Sequence, residues 1–116
     1  MKVIFHVNES IKWNAALANV GNLIRYSEQT GVETEVEIVV NGDAVRELQE
    51  NRARDNGRYD AIRELALESV KFIACRNALA EVGIRESSLI PFVEVAASGI
   101  AELVKKQQEG FAYIKP

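Results

Sequence analysis

The chain has one cysteine, one histidine, two prolines and no long apolar run, and each scarcity removes a class of protein. A single cysteine cannot form an internal disulfide, so nothing argues for an oxidising compartment, and the thiol is expected to be free in the cytoplasm. One histidine and one cysteine are too few soft ligands for a zinc site, and no metal is expected. No stretch approaches the roughly 18 apolar residues of a membrane-spanning helix. The opening Met1-Lys2-Val3-Ile4-Phe5-His6-Val7 is too short for a secretory h-region and stops at Asn8-Glu9. It is expected to be a strand of a protein neither exported nor anchored. Basic charge is scarce as well: 14 Lys and Arg against 17 Asp and Glu leave a formal charge of -3, with no general attraction to nucleic acid or anionic membranes. Neither GxGxxG nor GxxxxGK[ST] occurs, which argues against a bound nucleotide, and no cofactor is expected.

What is present suffices for one core: 116 residues, 47% of them hydrophobic, predict a single domain over residues 1–116. Val3 to Val7 reads as a strand, and from Ile11 to about Gln29 the period changes, with Trp13, Leu17, Val20 and Ile24 on one helical face. Gly31 closes that helix as a left-handed cap, and the β-branched run Thr34 to Val40 is the second strand. Asp43 is placed to cap a helix through Ala44, Val45 and Leu48. The segment Gln49 to Gly57 has no large apolar side chain, and is expected to be an exposed loop or frayed helix end outside the core.

Periodicity resumes with Tyr59, Ile62, Leu65 and Ala66, followed by a third strand over Val70 to Ala74 that ends at Cys75. A short helix carries Ala78, Leu79 and Val82 to Gly83. Leu89 to Ala96, interrupted by Pro91, predicts a fourth strand. Ser98 caps a last helix bearing Ile100, Leu103, Val104 and Gln107, and Phe111 to Ile114 is a fifth strand. Strand alternates with helix, and each connection has the length that parallel pairing needs. The fold class is α/β: a three-layer α/β/α sandwich with a five-stranded, mainly parallel sheet.

Ligands of such sheets bind beyond the carboxyl ends of the strands. Those ends carry Asn8 and Glu9, Asn41 and Gly42, Cys75 with Arg76 and Asn77, and Ala97 to Gly99. Cys75 stands where a strand becomes a helix, a setting that favours an anion such as a thiolate. It is the candidate chemical centre, against the alternative that it is a small buried hydrophobe. Spacing excludes several thiol chemistries. No second arginine follows Cys75 as a phosphatase or rhodanese loop requires, and no resolving cysteine lies two residues away as in thioredoxins. A cysteine hydrolase needs a histidine base, and the lone His6 sits inside a strand, where it reads as a sheet-face residue. Asn8-Glu9 and Cys75 stand where a receiver domain would have its acids.

Asn41-Gly42 and Ser98-Gly99 read first as turn and cap devices, with binding as the alternative. Lys105, Lys106 and the arginines at 52, 54 and 58 are expected on solvated faces, and Trp13 in helix packing.

The motifs VIFHVNE and FIACRNAL, and above all the block VEVAASGIAELVKKQQEGFAYIKP, resemble the small single-domain branch of the DsrE/DsrF-like family, over almost the whole length. The resemblance implies a YchN-like five-stranded domain that assembles as trimers or hexamers. It further implies a sulfur-carrying cysteine after the third strand, the position that Cys75 matches. The expected function is then a persulfide relay, a sulfurtransferase-type carrier, in which Cys75 accepts sulfur from a donor protein and passes it to an acceptor. Arg76 and the following helix would stabilise the thiolate, and Asn77 and neighbouring amides would orient the charged sulfur. With no second cysteine, transfer runs between chains. The alternatives are a non-catalytic oligomeric module that binds a small molecule or protein, and a redox sensor using Cys75 sulfenic acid.

Overall fold

The computed structural model describes residues 1–116. Five strands, β1 (Lys2–Val7), β2 (Glu35–Val40), β3 (Lys71–Cys75), β4 (Glu94–Ala96) and β5 (Ala112–Ile114), form one sheet in the order β4-β3-β2-β1-β5. All four pairings are parallel. The helices are α1 (Trp13–Thr30), α2 (Glu50–Asp55), α3 (Tyr59–Leu67), α4 (Arg76–Glu81) and α5 (Gly99–Gln108).

Strand order decides which face each helix covers. From β1 to β4 the chain steps one strand sideways each time, and right-handed crossovers then stack α1 to α4 on the same face. The connection from β4 returns across the sheet to lay β5 beside β1, and reversed travel puts α5 alone on the opposite face. The core divides accordingly. Val3, Phe5, Val7, Ile38, Val40 and Phe72 pack with Trp13, Val20, Ile62 and Leu79 of the helical layer. The alternate strand residues Ile4, Val39 and Ile73 meet Leu103 of α5 and Phe111. Strand residues one apart thus serve two separate cores, as a pleated sheet requires.

Gly31 has the expected left-handed conformation at the end of α1, with φ 72. Trp13 is fully buried, and its Nε1–H donates to the Ala44 carbonyl at 3.0 Å. No helix is long and apolar enough to cross a membrane.

Four expectations need correction. Gln49 to Gly57 is not outside the core: residues Glu50–Asp55 form α2, and Ala53 is fully buried. A methyl group is enough to anchor a helix there because buried Glu47 holds the segment by ion pairs to Arg52 and Arg58, each at 2.8 Å. Those two arginines therefore do more than solvate a face. Asp43 caps no helix; residues Gly42–Leu48 form a tight 3-10 run, and the Asp43 carboxylate accepts from the Ser10 amide at 3.2 Å. The fourth strand is only Glu94–Ala96, since Leu89 makes an isolated bridge to Gln49 and Pro91 begins a turn. Finally, α5 buries Gly99 and Leu103, whereas Ile100 and Val104 are 58% and 50% exposed.

Candidate functional site

Every rim residue named from the sequence lies at or just beyond a strand's carboxyl end, and the structure sorts them into three groups. The first is centred on Cys75. Counting from Ile73, which belongs to the α5-side core, alternation directs the Cys75 side chain toward the same face, while its contacts also join it to the larger core under the other helices. Gly99, the first residue of α5, lies directly against it: a Cβ built on Gly99 would stand 3.0 Å from Cys75 Cβ, 3.4 Å from Sγ and 3.5 Å from a Val39 methyl. A Cβ there would be tighter than ordinary packing, so glycine lets α5 start this close to the sheet without displacing the strand. Ser98 caps the helix, its hydroxyl oxygen accepting from the Ala101 amide at 3.1 Å. The thiol is free and buried, with 6% of the residue exposed.

The second group joins β1, β2 and β5. Asn41 follows Val40, the register partner of Ala74, so it stands beside Cys75 in the next strand. Its side-chain oxygen accepts from His6 Nε2–H at 2.9 Å, and the other ring nitrogen, Nδ1, lies 2.6 Å from the Tyr113 hydroxyl. Because an amide oxygen only accepts, the proton sits on Nε2, and Nδ1 accepts from Tyr113. His6 is a sheet-face histidine as expected, but one whose two nitrogens are both engaged. Asn8 Oδ1 accepts from Lys115 Nζ at 2.8 Å. Gly42 has φ 57, and a Cβ there would stand 2.5 Å from the Asn8 carbonyl oxygen, so glycine is required both for the conformation and for the contact.

Arg76 and Asn77, the first residues of α4, form the third group, and both are exposed. The Arg76 guanidinium is occupied by Glu86, with Nε–Oε2 at 2.9 Å and Nη2–Oε1 at 3.4 Å. That hydrogen bond and the Glu86 charge hold Arg76 above the ordinary arginine value.

Beneath α5, sequence reasoning missed a polar cluster. Glu37 is 2% exposed, with Oε2 3.7 Å from Lys106 Nζ. Burial pushes its carboxyl up to about 8, helped by a hydrogen bond and charge from Glu102 and opposed by Lys106 and Lys71. Burial works against the charge of Lys106, yet Glu37, Glu109, Glu102 and Glu35 together hold it above the ordinary lysine value. Lys106 is thus no solvated partner of Lys105. The signal was present in β2, EVEIVV, where Glu37 interrupts an otherwise buried run.

No group of three His, Cys, Asp or Glu side chains is arranged to hold a metal ion. A cleft of about 680 Å³ is lined by polar residues including Arg52, Asp55 and Ser88, and another of about 440 Å³ lies between α1 and α3. Cys75 borders neither.

The model of the DsrE/DsrF-like family matches residues 1–116. The chain is similar to a solved protein of unknown function, MTH1491 from Methanobacterium thermoautotrophicum, with a TM-score of 0.85 and 28% identity over 99% of this chain and 98% of that one. It shares its fold with a conserved protein of unknown function, BT1422 from Bacteroides thetaiotaomicron, at a TM-score of 0.73 and 18% identity, covering 99% of this chain and 94% of the other. No curated protein matches.

Proposed function

The chain belongs to the DsrE/DsrF-like family, and from that premise we propose that it is a sulfur carrier in which Cys75 takes up and hands on a single sulfur atom. The observation that carries the reading is the placement of Cys75: the chain's one thiol, at the carboxyl end of the interior strand β3, against the start of α5. The family is linked to sulfur relay, and the resemblance matches Cys75 to the sulfur-carrying cysteine after the third strand.

The chemistry needs no outside oxidant. Cys75 thiolate attacks the outer sulfur of a donor persulfide; the donor S–S bond breaks, a new one forms on Cys75, and the donor leaves as thiolate. An acceptor thiolate then attacks the terminal sulfur of Cys75-S-SH and restores the Cys75 thiolate. Asn41, beside Cys75 in register, and the capped start of α5 at Ser98 and Gly99 are the groups best situated to orient the terminal sulfur. Asn8 and Gly42 shape the neighbouring rim, while exposed Asn77 and the Arg76–Glu86 pair lie where a partner's surface would meet them. Donor and acceptor are proteins, and the chain works in the cytoplasm, where a lone thiol stays reduced. Exposed Ile100 and Val104 on the outer side of α5 support assembly with further copies of the chain, as trimers or hexamers.

One observation favours a second reading. At 6% exposure, Cys75 has the burial of a packing residue, which suits a non-catalytic oligomeric module of the same fold. Intact mass after treatment with a persulfide donor separates the two. Gain of one sulfur atom by the native protein, lost in Cys75→Ala, is the carrier result. A thiol that stays unmodified until the protein is denatured overturns it.

A further inference from the structure

The inner side of α5 touches the sheet at three levels. Gly99 lies on Cys75 and Val39, Leu103 packs with Ile4, Val39 and Ile73, and Glu102 and Lys106 close over Glu37. These positions are three, four and seven residues from Gly99, so one helical stripe carries all of them. The stripe is poor in apolar groups: Leu103 is its only large apolar side chain, and a charged cluster takes the place of a second anchor.

That cluster is short of one hydrogen. Glu37 Oε1 is buried with no hydrogen-bond partner, and Glu102, on the same inner stripe of α5 one turn before Lys106, is the carboxyl that acts on Glu37 from the helix. Two carboxylates cannot bond to each other; a carboxylic acid and a carboxylate can. The groups facing Glu37 are Lys71 from β3, Glu102 and Lys106 from α5, with Glu109 reaching it through Lys106 at 3.7 Å. β1 presents only Ile4 as the register partner of Glu37, and Glu35 of β2 acts on Lys106 from the strand's start.

We propose that α5 is a proton-latched cover over Cys75, held shut by a proton shared between Glu37 and Glu102 and loosened when that proton leaves. Deprotonation sets two carboxylates against each other under the helix, with Lys106 and Lys71 acting on Glu37 and Lys2 of β1 sharing the Phe111 ring with Lys106. The helix then lifts from Glu37, and its first residue, Gly99, lifts from the thiol. The raised carboxyl of Glu37 agrees with this arrangement, since burial and Glu102 both favour its protonated form. Cys75 serves here only to report where α5 sits, so the inference stands or falls independently of what the thiol carries.

The test compares the rate at which a pyridyl disulfide labels Cys75 in the native wild type and in Glu37→Gln, whose amide imitates the protonated acid and donates to Glu102. Taking the ratio of the two rates removes the thiol's own ionisation. The ratio is expected near one at about pH 5 and to rise at least ~10-fold by about pH 8.5, because a proton bound only in the closed form shifts the open-to-closed ratio by up to tenfold per pH unit. Backbone hydrogen exchange of the wild type, corrected for intrinsic rates, is followed in parallel. Protection is expected to fall with pH in α5 and to hold in α1. A flat ratio, or a rising ratio with α5 protection unchanged, overturns the proposal. Should Glu37→Gln not fold, the wild-type exchange profile decides alone.

Discussion

Gly99 and Cys75 are in contact across the gap between α5 and the sheet, close enough that a Cβ on Gly99 would lie 3.0 Å from the Cys75 Cβ. Gly99→Ala gains helix propensity, but at the first helical residue this gain is small, and the clash is with strand atoms that have little freedom to move. The expected net cost is about 1–2 kcal/mol in denaturant unfolding. Cys75→Ala in the same background does not relieve it, because alanine keeps the offending Cβ, whereas Cys75→Gly does. A Gly99→Ala protein more stable than wild type would show that the contact has room to spare.

Glu37 sets a pH dependence of stability whose sign follows from its direction of shift. The folded protein holds this proton up to about 8, and the unfolded chain releases it near the ordinary glutamate value of 4.5. Stability from this group is therefore complete below the unfolded value and is lost as pH rises through the folded one, by at most about 1.4 kcal/mol per pH unit. Glu37→Gln is expected to flatten the melting temperature across this window and to be the more stable protein at its alkaline end. Parallel curves for the two proteins from acid to alkaline pH would place the proton elsewhere.

Most of this architecture was legible in the sequence because the first three strands and α1 have strong periods, and Ser98 was legible as a cap because its hydroxyl has an amide three residues on to accept from. Cys75 could be set at the carboxyl end of β3 for the same reason. The cover over it could not. Sequence reasoning gave α5 the apolar stripe Ile100, Leu103, Val104 and Gln107, but the helix is turned so that Gly99, Glu102, Leu103 and Lys106 face the sheet. Close approach at Gly99 and the Glu37 cluster outweigh the burial of two more aliphatic side chains. Hydrophobic pattern cannot reveal a seat built from a glycine and buried charge. Similarly, nothing in QENRARDNG marks Ala53 as core, since its burial depends on Glu47, outside the segment.

Glu47 is the opposite case to Glu37, a buried carboxylate with every oxygen occupied. Oε2 faces Arg52 at 2.8 Å and accepts from Ser10 Oγ at 3.3 Å; Oε1 accepts from Arg58 at 2.8 Å and Asn56 at 3.2 Å. Glu47→Ala should cost about 2–3 kcal/mol, below the figure for a fully buried pair because both guanidiniums retain contact with water. Arg52→Ala, at the more exposed end, should cost less than about 1 kcal/mol. The double variant should fall well short of the sum, since either change breaks the same network. Additive costs in urea unfolding would mean that Glu47 and Arg52 act separately.

Leu103 and Val104 are adjacent on α5 yet have opposite surroundings, one 5% and the other 50% exposed. Leu103 is α5's sole member of the five-residue core, so Leu103→Ala leaves a cavity between the helix and Ile4, Val39 and Ile73, at an expected cost of about 2–4 kcal/mol. Val104→Ala should change monomer stability by less than about 0.5 kcal/mol. If copies of the chain meet through the outer side of α5, Val104→Glu leaves the fold intact and moves the sedimentation coefficient to that of a single chain, because a buried unpaired carboxylate opposes association. Leu103→Ala lowers the unfolding midpoint instead and retains the assembly while folded. An unchanged sedimentation coefficient for Val104→Glu would remove α5 from the interface and leave the exposed Tyr113 of the edge strand β5 as an apolar contact on that side.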